Sequence, residues 1–222
     1  MLLVTLLALA LPADAAITAT VWILGDSNSG GIYVAYQRLF AARHPEWTVV
    51  NQAISGTDSS FGLAHAVDLL AHDSPPDIAV VTYGGADLIG AIFDDPQHHP
   101  ALEQPVGEIL GRLLEICAAF ATVRTRCVLG ASVGAFDRQH PDDPRPLTPE
   151  EIATLRHLDD GYSALGRMVK QTWRTMIDFR LPREPDLWSS GSLGYIHASN
   201  RGYAIAARRL VRQLEKLTRS RR

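Results

Sequence analysis

The chain has 222 residues, of which 46% are hydrophobic and 20% are charged, and its formal net charge is −3. This is ordinary globular composition, and the length is enough for one sizeable domain with one core. The slight acidity argues against a nucleic-acid-binding protein, which normally presents a basic face, so nucleic acid is not expected as a partner.

The first 16 residues predict a signal peptide. An apolar run is followed by small residues, and Ala13-Asp14-Ala15 fits an A-x-A cleavage site. The run is too short to cross a bilayer, so no transmembrane segment is expected. We predict an exported protein, periplasmic or secreted, with one domain over residues 17–222. Because Lys and Arg are missing near Met1, a buried N-terminal strand or a misplaced start codon is the alternative.

Five short, β-branched apolar runs predict buried strands, and helical patterns lie between them. The strands are expected over residues 18–25, 47–53, 77–84, 126–132 and 175–179. Strands that alternate with helices predict an α/β fold: a three-layer α/β/α sandwich with a central, mostly parallel five-stranded sheet, flavodoxin-like in architecture. In such sheets sites form beyond the carboxyl ends of the strands, so the polar residues found there are the candidates for function.

The helical patterns also predict which side chains face the core. In the second helix Leu63, Val67 and Leu70 recur at helical spacing and are expected to point inward. Two stretches, residues 93–105 and 136–147, are rich in Pro, Asp and His and are expected to be loops. Both follow strands, so they either overhang the site and shape its pocket or are plain surface loops.

Cys117 and Cys127 are the two cysteines of the chain. In an oxidising compartment they could form a disulfide, but the alternative of two buried thiols stays open at this stage. No Cys or His pair flanks them at zinc-binding spacing, so no metal site is expected there.

The first strand stops abruptly at Gly25-Asp26-Ser27, where a helical pattern begins. Ser27 is either a nucleophile or a small polar residue at the start of a helix, where Ser, Asn and Asp are favoured. A nucleophilic serine needs a base, and most of the eight histidines of the chain lie in patterns typical of the surface. His197 differs, because it lies in a turn just before the last helix, in a loop that leads back from the end of the sheet.

Four blocks of the sequence, taken in order, resemble the SGNH, or GDSL, hydrolases. Gly25-Asp26-Ser27 resembles the first block, and "NQAISGTDSSFGLAHAVDLL" resembles the second, in which the glycine is Gly56. "VVTYGGADL" resembles the third block, and "YIHASNRGY" resembles the last block, which contains His197. The pattern is most similar to the bacterial lysophospholipase and thioesterase branch.

The resemblance implies a role for each matching residue. Ser27 would be the nucleophile and His197 the base, and the backbone N–H groups of Ser27 and Gly56 would bind the oxyanion. Two positions depart from the family pattern: Ala86 replaces the asparagine that donates to the oxyanion, and Gly194 replaces the aspartate that orients the histidine. Asp186 is the nearest upstream carboxylate and is one candidate for the orienting group, and a backbone carbonyl between Gly191 and Leu193 is the other.

A second serine also lies in a motif. "GASVG", with Ser132 at its centre, matches the G-x-S-x-G elbow of α/β-hydrolases. That elbow leads from a strand into a helix, whereas the residues after Ser132 hold three prolines and no helical period. Ser132 is therefore expected to be a small residue at a strand end.

The sequence thus predicts an exported serine hydrolase that cleaves carboxylic acyl esters through a Ser27–His197 dyad and an acyl-enzyme. Its substrate would be a small-molecule, lipid or carbohydrate ester, and no cofactor or metal is expected. Because the family asparagine and aspartate are missing, the alternative is a catalytically impaired relative that acts as a ligand-binding module.

Overall fold

The computed structural model describes residues 18–93, 101–190 and 194–219, and the predicted signal peptide lies outside them. Five strands form one parallel sheet in the order β2-β1-β3-β4-β5. The strands are β1 (Ala19–Gly25), β2 (Trp47–Asn51), β3 (Ile78–Thr82), β4 (Arg126–Ala131) and β5 (Met176–Asp178). The helices are α1 (Ser27–Leu39), α2 (Ser59–His72), α3 (Gly85–Phe93), α4 (Glu103–Thr122), α5 (Pro149–Thr172) and α6 (Asn200–Arg219). The predicted α/β class and five-stranded parallel sheet are confirmed.

Helices cover both faces of the sheet. Val21 and Ile23 of β1 are buried with α1 and α6 on one face, and Trp22 and Leu24 are buried on the other face with α2, α3, α4 and most of α5. This division follows from the two-residue period of a strand. Because both faces are covered, β1 reads as a continuous apolar run rather than an alternating one.

The chain reverses its direction of winding at β1. It passes from β1 to β2 on one side of the sheet and then crosses to β3 on the other side of β1. In this topology the crevice lies at the carboxyl ends of β1 and β3. Ser27 follows β1 and Gly85 follows β3, so the first and third motif blocks meet at this crevice.

Of the three residues predicted to point inward from the second helix, Leu63 and Leu70 are partly buried and pack against the core, and the prediction is wrong for Val67. Val67 is 54% exposed, and the buried residues of α2 include Gly62, Ala66 and Leu69. The ring of Tyr83 occupies the space that a side chain at Gly62 would need. A pattern of large apolar residues could not reveal this face, because it is built partly from small residues that pack against a large one.

The structure joins the two cysteines in a disulfide. Cys117 lies in α4 and Cys127 in β4, with 5.3 Å between their Cα atoms. The bridge therefore ties a covering helix to the strand beside it.

Across the three described ranges, no helix is long and apolar enough to span a membrane.

Candidate active site

Ser27 is the first residue of α1, at the carboxyl end of β1. Gly25 has φ +154°, and Asp26 is the extended residue that caps the helix. The Asp26 carboxylate accepts a hydrogen bond from the backbone N–H of Asn28 at 2.9 Å. The abrupt change from apolar strand to polar helix start therefore puts a half-buried hydroxyl at the edge of the sheet.

His197 contacts this hydroxyl, although the two residues lie 170 positions apart in the chain. It follows a 3-10 turn (Gly194–Ile196) and precedes α6, and its Nε2 lies 2.8 Å from Ser27 Oγ. The backbone around His197 is fixed on both sides, because its carbonyl accepts from Ser189 N–H at 3.1 Å and the Tyr195 carbonyl accepts from Phe136 N–H at 2.7 Å. The structure thus brings together the two residues that the sequence singles out.

Asn28 links α1 to the turn that precedes His197. Its side-chain NH2 donates to the backbone carbonyl of Ile196 at 3.1 Å, and its Oδ1 accepts from the Tyr203 hydroxyl at 2.9 Å. Asn28 is only 6% exposed, so both ends of the amide are used inside the protein. Sequence reasoning missed this role, although Asn28 directly follows the first motif block, because its partners lie about 170 residues away in the chain.

The residue directly before Ser27, Asp26, carries a buried carboxyl group. Asp26 is 4% exposed, and burial raises its pKa to about 6, although hydrogen bonds from the backbone of Asn28 and Ser29 oppose the rise. The charge of Asp26 adds to the effect of burial on Tyr83, Tyr162 and Tyr203, so the pKa of each phenol lies above its usual value. Asp26 therefore acts as a helix cap at a substantial electrostatic cost.

Gly56 lies in the loop between β2 and α2, and the loop is held against the end of β1. Ile54 N–H donates to the Gly25 carbonyl at 2.9 Å, and the Thr57 hydroxyl donates to the Ile54 carbonyl at 2.7 Å. Gly56 is exposed and has φ +77°, a conformation that favours glycine. The loop thus carries an exposed peptide group close to the start of α1.

The third block is tied to the second by Asp87. Its carboxylate accepts from the backbone N–H of Ser59 at 2.8 Å and from the Ser59 hydroxyl at 2.6 Å. Arg112 of α4 donates to the same carboxylate at 3.3 Å. The aspartate of this block therefore serves to hold α2, α3 and α4 together at the crevice.

Ala86 lies in the first turn of α3 and is half-buried. Its methyl side chain has no hydrogen-bond donor. Gly194 lies in the 3-10 turn before His197, where it contributes no carboxylate. One departure therefore falls at the start of α3, directly after β3, and the other falls three residues before His197.

Asp186 lies in a second 3-10 turn (Pro185–Leu187) with its side chain about half exposed. Its carboxylate pairs with Arg201 of α6, and its backbone carbonyl accepts from the Ser199 hydroxyl at 2.7 Å. The alternative orienting group, a carbonyl between Gly191 and Leu193, lies outside the described residues.

Ser132 follows β4 and is 6% exposed. No hydrogen-bond partner for its Oγ was found among the described residues. No helix starts behind it, because the next helix, α5, begins at Pro149. The strand-to-helix context of a nucleophile elbow is therefore missing at Ser132.

Comparison with known proteins identifies the family. The sequence model of the GDSL-like lipase/acylhydrolase family matches residues 17–205. The chain belongs to the GDSL-like lipases and acylhydrolases. The resemblance carried by the four motif blocks is thereby confirmed, and membership assigns the chain to the ester hydrolases. No similarity to a curated protein was found.

Solved structures share the fold of this GDSL-family chain at low identity. A lipase from a goat rumen metagenome is 16% identical with a TM-score of 0.63, covering 88% of this chain and 97% of its own. A form of the acetyl xylan esterase Axe2 from Geobacillus stearothermophilus is 16% identical with a TM-score of 0.58, and the match covers 88% of this chain and 94% of the esterase. The psychrotrophic esterase EstA from Pseudoalteromonas sp. is 14% identical with a TM-score of 0.57, and the match covers 89% of this chain and 97% of EstA.

Proposed function

We propose that this GDSL-family protein is an exported serine hydrolase that cleaves acyl esters with Ser27 as nucleophile and His197 as its base. The observation that carries the proposal is the 2.8 Å separation of Ser27 Oγ and His197 Nε2. That distance is within hydrogen-bond reach, which a general base needs in order to take a proton from its nucleophile.

The reaction proceeds in two halves. As Ser27 Oγ attacks the ester carbonyl carbon, its proton passes to His197 Nε2, and the carbonyl oxygen becomes an oxyanion. His197 then returns the proton to the leaving alcohol as the carbon–oxygen bond of the ester breaks, which leaves an acyl-enzyme. Water, deprotonated by His197, attacks the acyl-enzyme, and Ser27 leaves with the proton.

Two backbone N–H groups are proposed to stabilise the oxyanion. The Ser27 N–H belongs to the first turn of α1, so it has no acceptor within its own helix and lies at the positive end of the helix dipole. The second donor is the N–H of Gly56, in the loop that Ile54 holds against the Gly25 carbonyl. Neither donor depends on a side chain, so neither is removed by the alanine at position 86.

The two missing side chains predict a slow enzyme. Loss of one oxyanion donor costs about 10²–10³ in rate, and loss of the orienting carboxylate costs about 10⁴. These losses need not multiply, because the residues act as a unit. The same two departures, Ala86 and Gly194, favour a ligand-binding module as the second candidate function.

The group that orients His197 is either the Asp186 carboxylate or a backbone carbonyl between Gly191 and Leu193. The pairing of Asp186 with Arg201 counts against Asp186 as the orienting group, because that ion pair already engages the carboxylate. If Asp186 orients the imidazole, Asp186→Asn will lower kcat by up to about 10⁴. An unchanged kcat will exclude Asp186 as the orienting group. Gly194→Asp will raise kcat if histidine orientation limits the rate.

Export is proposed from the sequence of residues 1–16, and the disulfide between Cys117 and Cys127 supports an oxidising compartment. Amino-terminal sequencing of protein recovered from the expected compartment tests the proposal, and we expect a mature chain that begins near residue 16 or 17. An intact leader on active cytoplasmic protein would contradict it.

A fluorophosphonate probe tests the nucleophile directly. Purified protein is treated with the probe, and the adduct is mapped by mass spectrometry. We expect labelling at Ser27, no labelling in Ser27→Ala, and full labelling in Ser132→Ala. His197→Ala will slow labelling by several orders of magnitude, whereas His72→Ala is the matched control, since His72 is an exposed histidine of α2.

Absence of labelling at any serine of folded protein would overturn the hydrolase proposal and favour the binding module. Labelling at Ser132 instead of Ser27 would reassign the nucleophile. Ester hydrolysis measured on the same variants must follow the labelling, because both need the same activated hydroxyl.

A further inference from the structure

A cavity of about 790 Å³ lies beside the turn that leads to His197. Its walls come from α3, from the residues that lead into α5, and from the turn before His197. The volume falls within the range of about 300–1,000 Å³ that is typical of small-molecule sites. Ile196 lines the cavity, directly precedes His197 and accepts a hydrogen bond from Asn28, so the cavity reaches the turn that carries the proposed base.

The walls of the cavity are mainly apolar. The apolar side chains that line it are Ile89, Phe93, Leu147, Leu155 and Ile196. Two of them leave apolar surface uncovered, because Phe93 is 51% exposed and Ile89 is only partly buried. A ligand that covers these side chains would gain the free energy of removing that surface from water.

The polar groups at the rim are largely engaged with one another. The guanidinium of Arg145 donates to both oxygens of Glu151 at 3.1 and 2.6 Å, and this contact holds the pKa of Glu151 at about 2. Glu151 also accepts from Thr148 N–H, and the Tyr195 hydroxyl donates to Asp143 at 2.8 Å. A sugar would have to compete with these bonds, whereas a hydrocarbon chain leaves them intact.

We propose that this cavity holds the acyl chain of the substrate, so that the preferred substrates are esters of linear fatty acids much longer than acetate. The inference rests on the proposed function, because it needs the ester carbonyl at Ser27. From there the chain would pass Ile196 and lie between Ile89 and Leu155. Acetylated sugars are disfavoured as substrates, because an acetyl group leaves the cavity empty.

The expected effect follows from the burial of methylene groups. Full burial of one methylene raises kcat/KM by up to about fourfold. Octanoate has six methylenes more than acetate, and the cavity is partly open, so we expect kcat/KM for p-nitrophenyl octanoate to exceed that for the acetate by at least about tenfold.

Filling and enlarging the cavity test the inference in opposite directions. Ile89→Trp places a large ring inside it and will lower the octanoate-to-acetate ratio of kcat/KM by at least about tenfold. Ile89→Ala lengthens the space and will move the preferred chain length above that of the wild type. The matched control is Val67→Trp, because Val67 is an exposed residue of α2. Its ratio will equal that of the wild type.

The outcomes separate this inference from the proposed function. A wild type that hydrolyses acetate as well as octanoate, or an equal ratio in Ile89→Trp and Val67→Trp, would overturn the cavity assignment while the hydrolase stands. If no ester is hydrolysed, the hydrolase fails, and calorimetric binding of decanoate decides the cavity. Binding that Ile89→Trp abolishes and Val67→Trp retains would support it, and absence of binding would overturn it.

An independent observation concerns Asn28. Its buried amide joins the residue after the nucleophile to the residue before the base, through the Ile196 carbonyl, and is itself held by the Tyr203 hydroxyl of α6. Gly31 makes room for this contact, since the Tyr203 ring fills the space that a side chain there would need. The bridge therefore fixes the spacing between α1 and the histidine turn.

We infer that Asn28 is a positioning residue, which sets the distance between Ser27 Oγ and His197 Nε2. This inference also rests on the proposed function. Asn28→Leu removes both hydrogen bonds and will lower kcat by about 10²-fold, the cost of displacing a reacting group by about 1 Å. KM will change less than twofold, because Asn28 does not line the acyl cavity.

A double-mutant cycle distinguishes positioning from a general loss of stability. If Asn28 acts through the base, Asn28→Leu will have no further effect on kcat in a His197→Ala background. Asn51→Leu is the control, because Asn51 is an exposed asparagine at the end of β2. Asn28→Asp keeps the shape and loses the donor to Ile196, so it will show the same loss of kcat if the leucine variant does not fold.

An unchanged kcat in Asn28→Asp and Asn28→Leu, or an undiminished effect in the His197→Ala background, would overturn the positioning role. An inactive wild type would overturn the hydrolase itself.

Discussion

Replacing Asp26 by asparagine isolates the energetic effect of a carboxyl group buried beside Ser27. Burial raises the pKa of Asp26 from 3.8 to about 6, a rise of about two units. Each unit corresponds to about 1.4 kcal/mol of difference between the two protonation states. The charged form of Asp26 therefore costs about 3 kcal/mol of stability in the folded protein.

The sign of the pH dependence follows from this rise. Below about pH 4 the carboxyl group is protonated in both the folded and the unfolded states, so burial carries no charge penalty. Between about pH 4 and pH 6 the unfolded chain releases its proton while the folded protein keeps it, so stability falls as pH increases. Above about pH 6 both states are ionised, and the loss is complete.

Asparagine keeps the shape and the cap but does not ionise. Its Oδ1 can accept the bond from Asn28 N–H, and Asn and Asp are about equally good helix caps. The difference in unfolding free energy, Asp26→Asn minus wild type, should therefore rise by about 3 kcal/mol from pH 3.5 to pH 7.5. Urea unfolding at half-unit intervals measures it, and subtraction cancels the titration of all other groups.

A difference that stays constant within about 0.5 kcal/mol over this range would refute the reasoning, because it would mean that Asp26 has the same pKa in both states. A difference that falls with increasing pH would mean that the backbone hydrogen bonds outweigh burial.

Three further predictions concern stability. Replacing Cys117 and Cys127 by alanine should lower the unfolding free energy by about 2–3 kcal/mol, the loop entropy of a bridge of this span, in urea titrations; an unchanged midpoint would contradict it. Gly31→Ala forces a methyl group into the tyrosine ring of α6 and should cost about 1–3 kcal/mol in thermal unfolding, whereas Gly111→Ala, in open space, should not destabilise. Ser132→Ala removes a buried hydroxyl and should retain esterase activity with equal or higher stability, so a marked loss of either would count against the assignment.

The architecture could be predicted from the sequence because its strands are buried on both faces. Such strands read as continuous apolar runs, and even the short β5 (Met176–Asp178) falls within the predicted range 175–179. The faces of helices were harder to predict. Val67 is predicted to face the core but is exposed to solvent, because the buried face of α2 includes the small residues Gly62 and Ala66. At Gly62 the neighbouring ring of Tyr83 leaves no space for a side chain.

The close approach of Ser27 to His197 could be predicted, because each residue stands at a recognisable boundary, one after a strand and one before a helix. Asn28 could not, because its role depends on two partners brought together by the packing of α1 against α6. His140 likewise reads as a surface residue in a polar loop, yet it is 5% exposed and contacts the Pro185 carbonyl at 3.1 Å. Long-range contacts of this kind leave no local pattern in the sequence.

The pairing of Ser27 with His197 joins positions 170 residues apart, and it exists only when α6 is seated on α1. Contacts of such long range close late when a chain folds, since the entropy of loop closure must be overcome first. Hydrolytic activity therefore reports on the last stage of folding. During refolding, esterase activity should return later than the circular-dichroism signal of the helices. The delay between the two measures how long α6 takes to pack against α1.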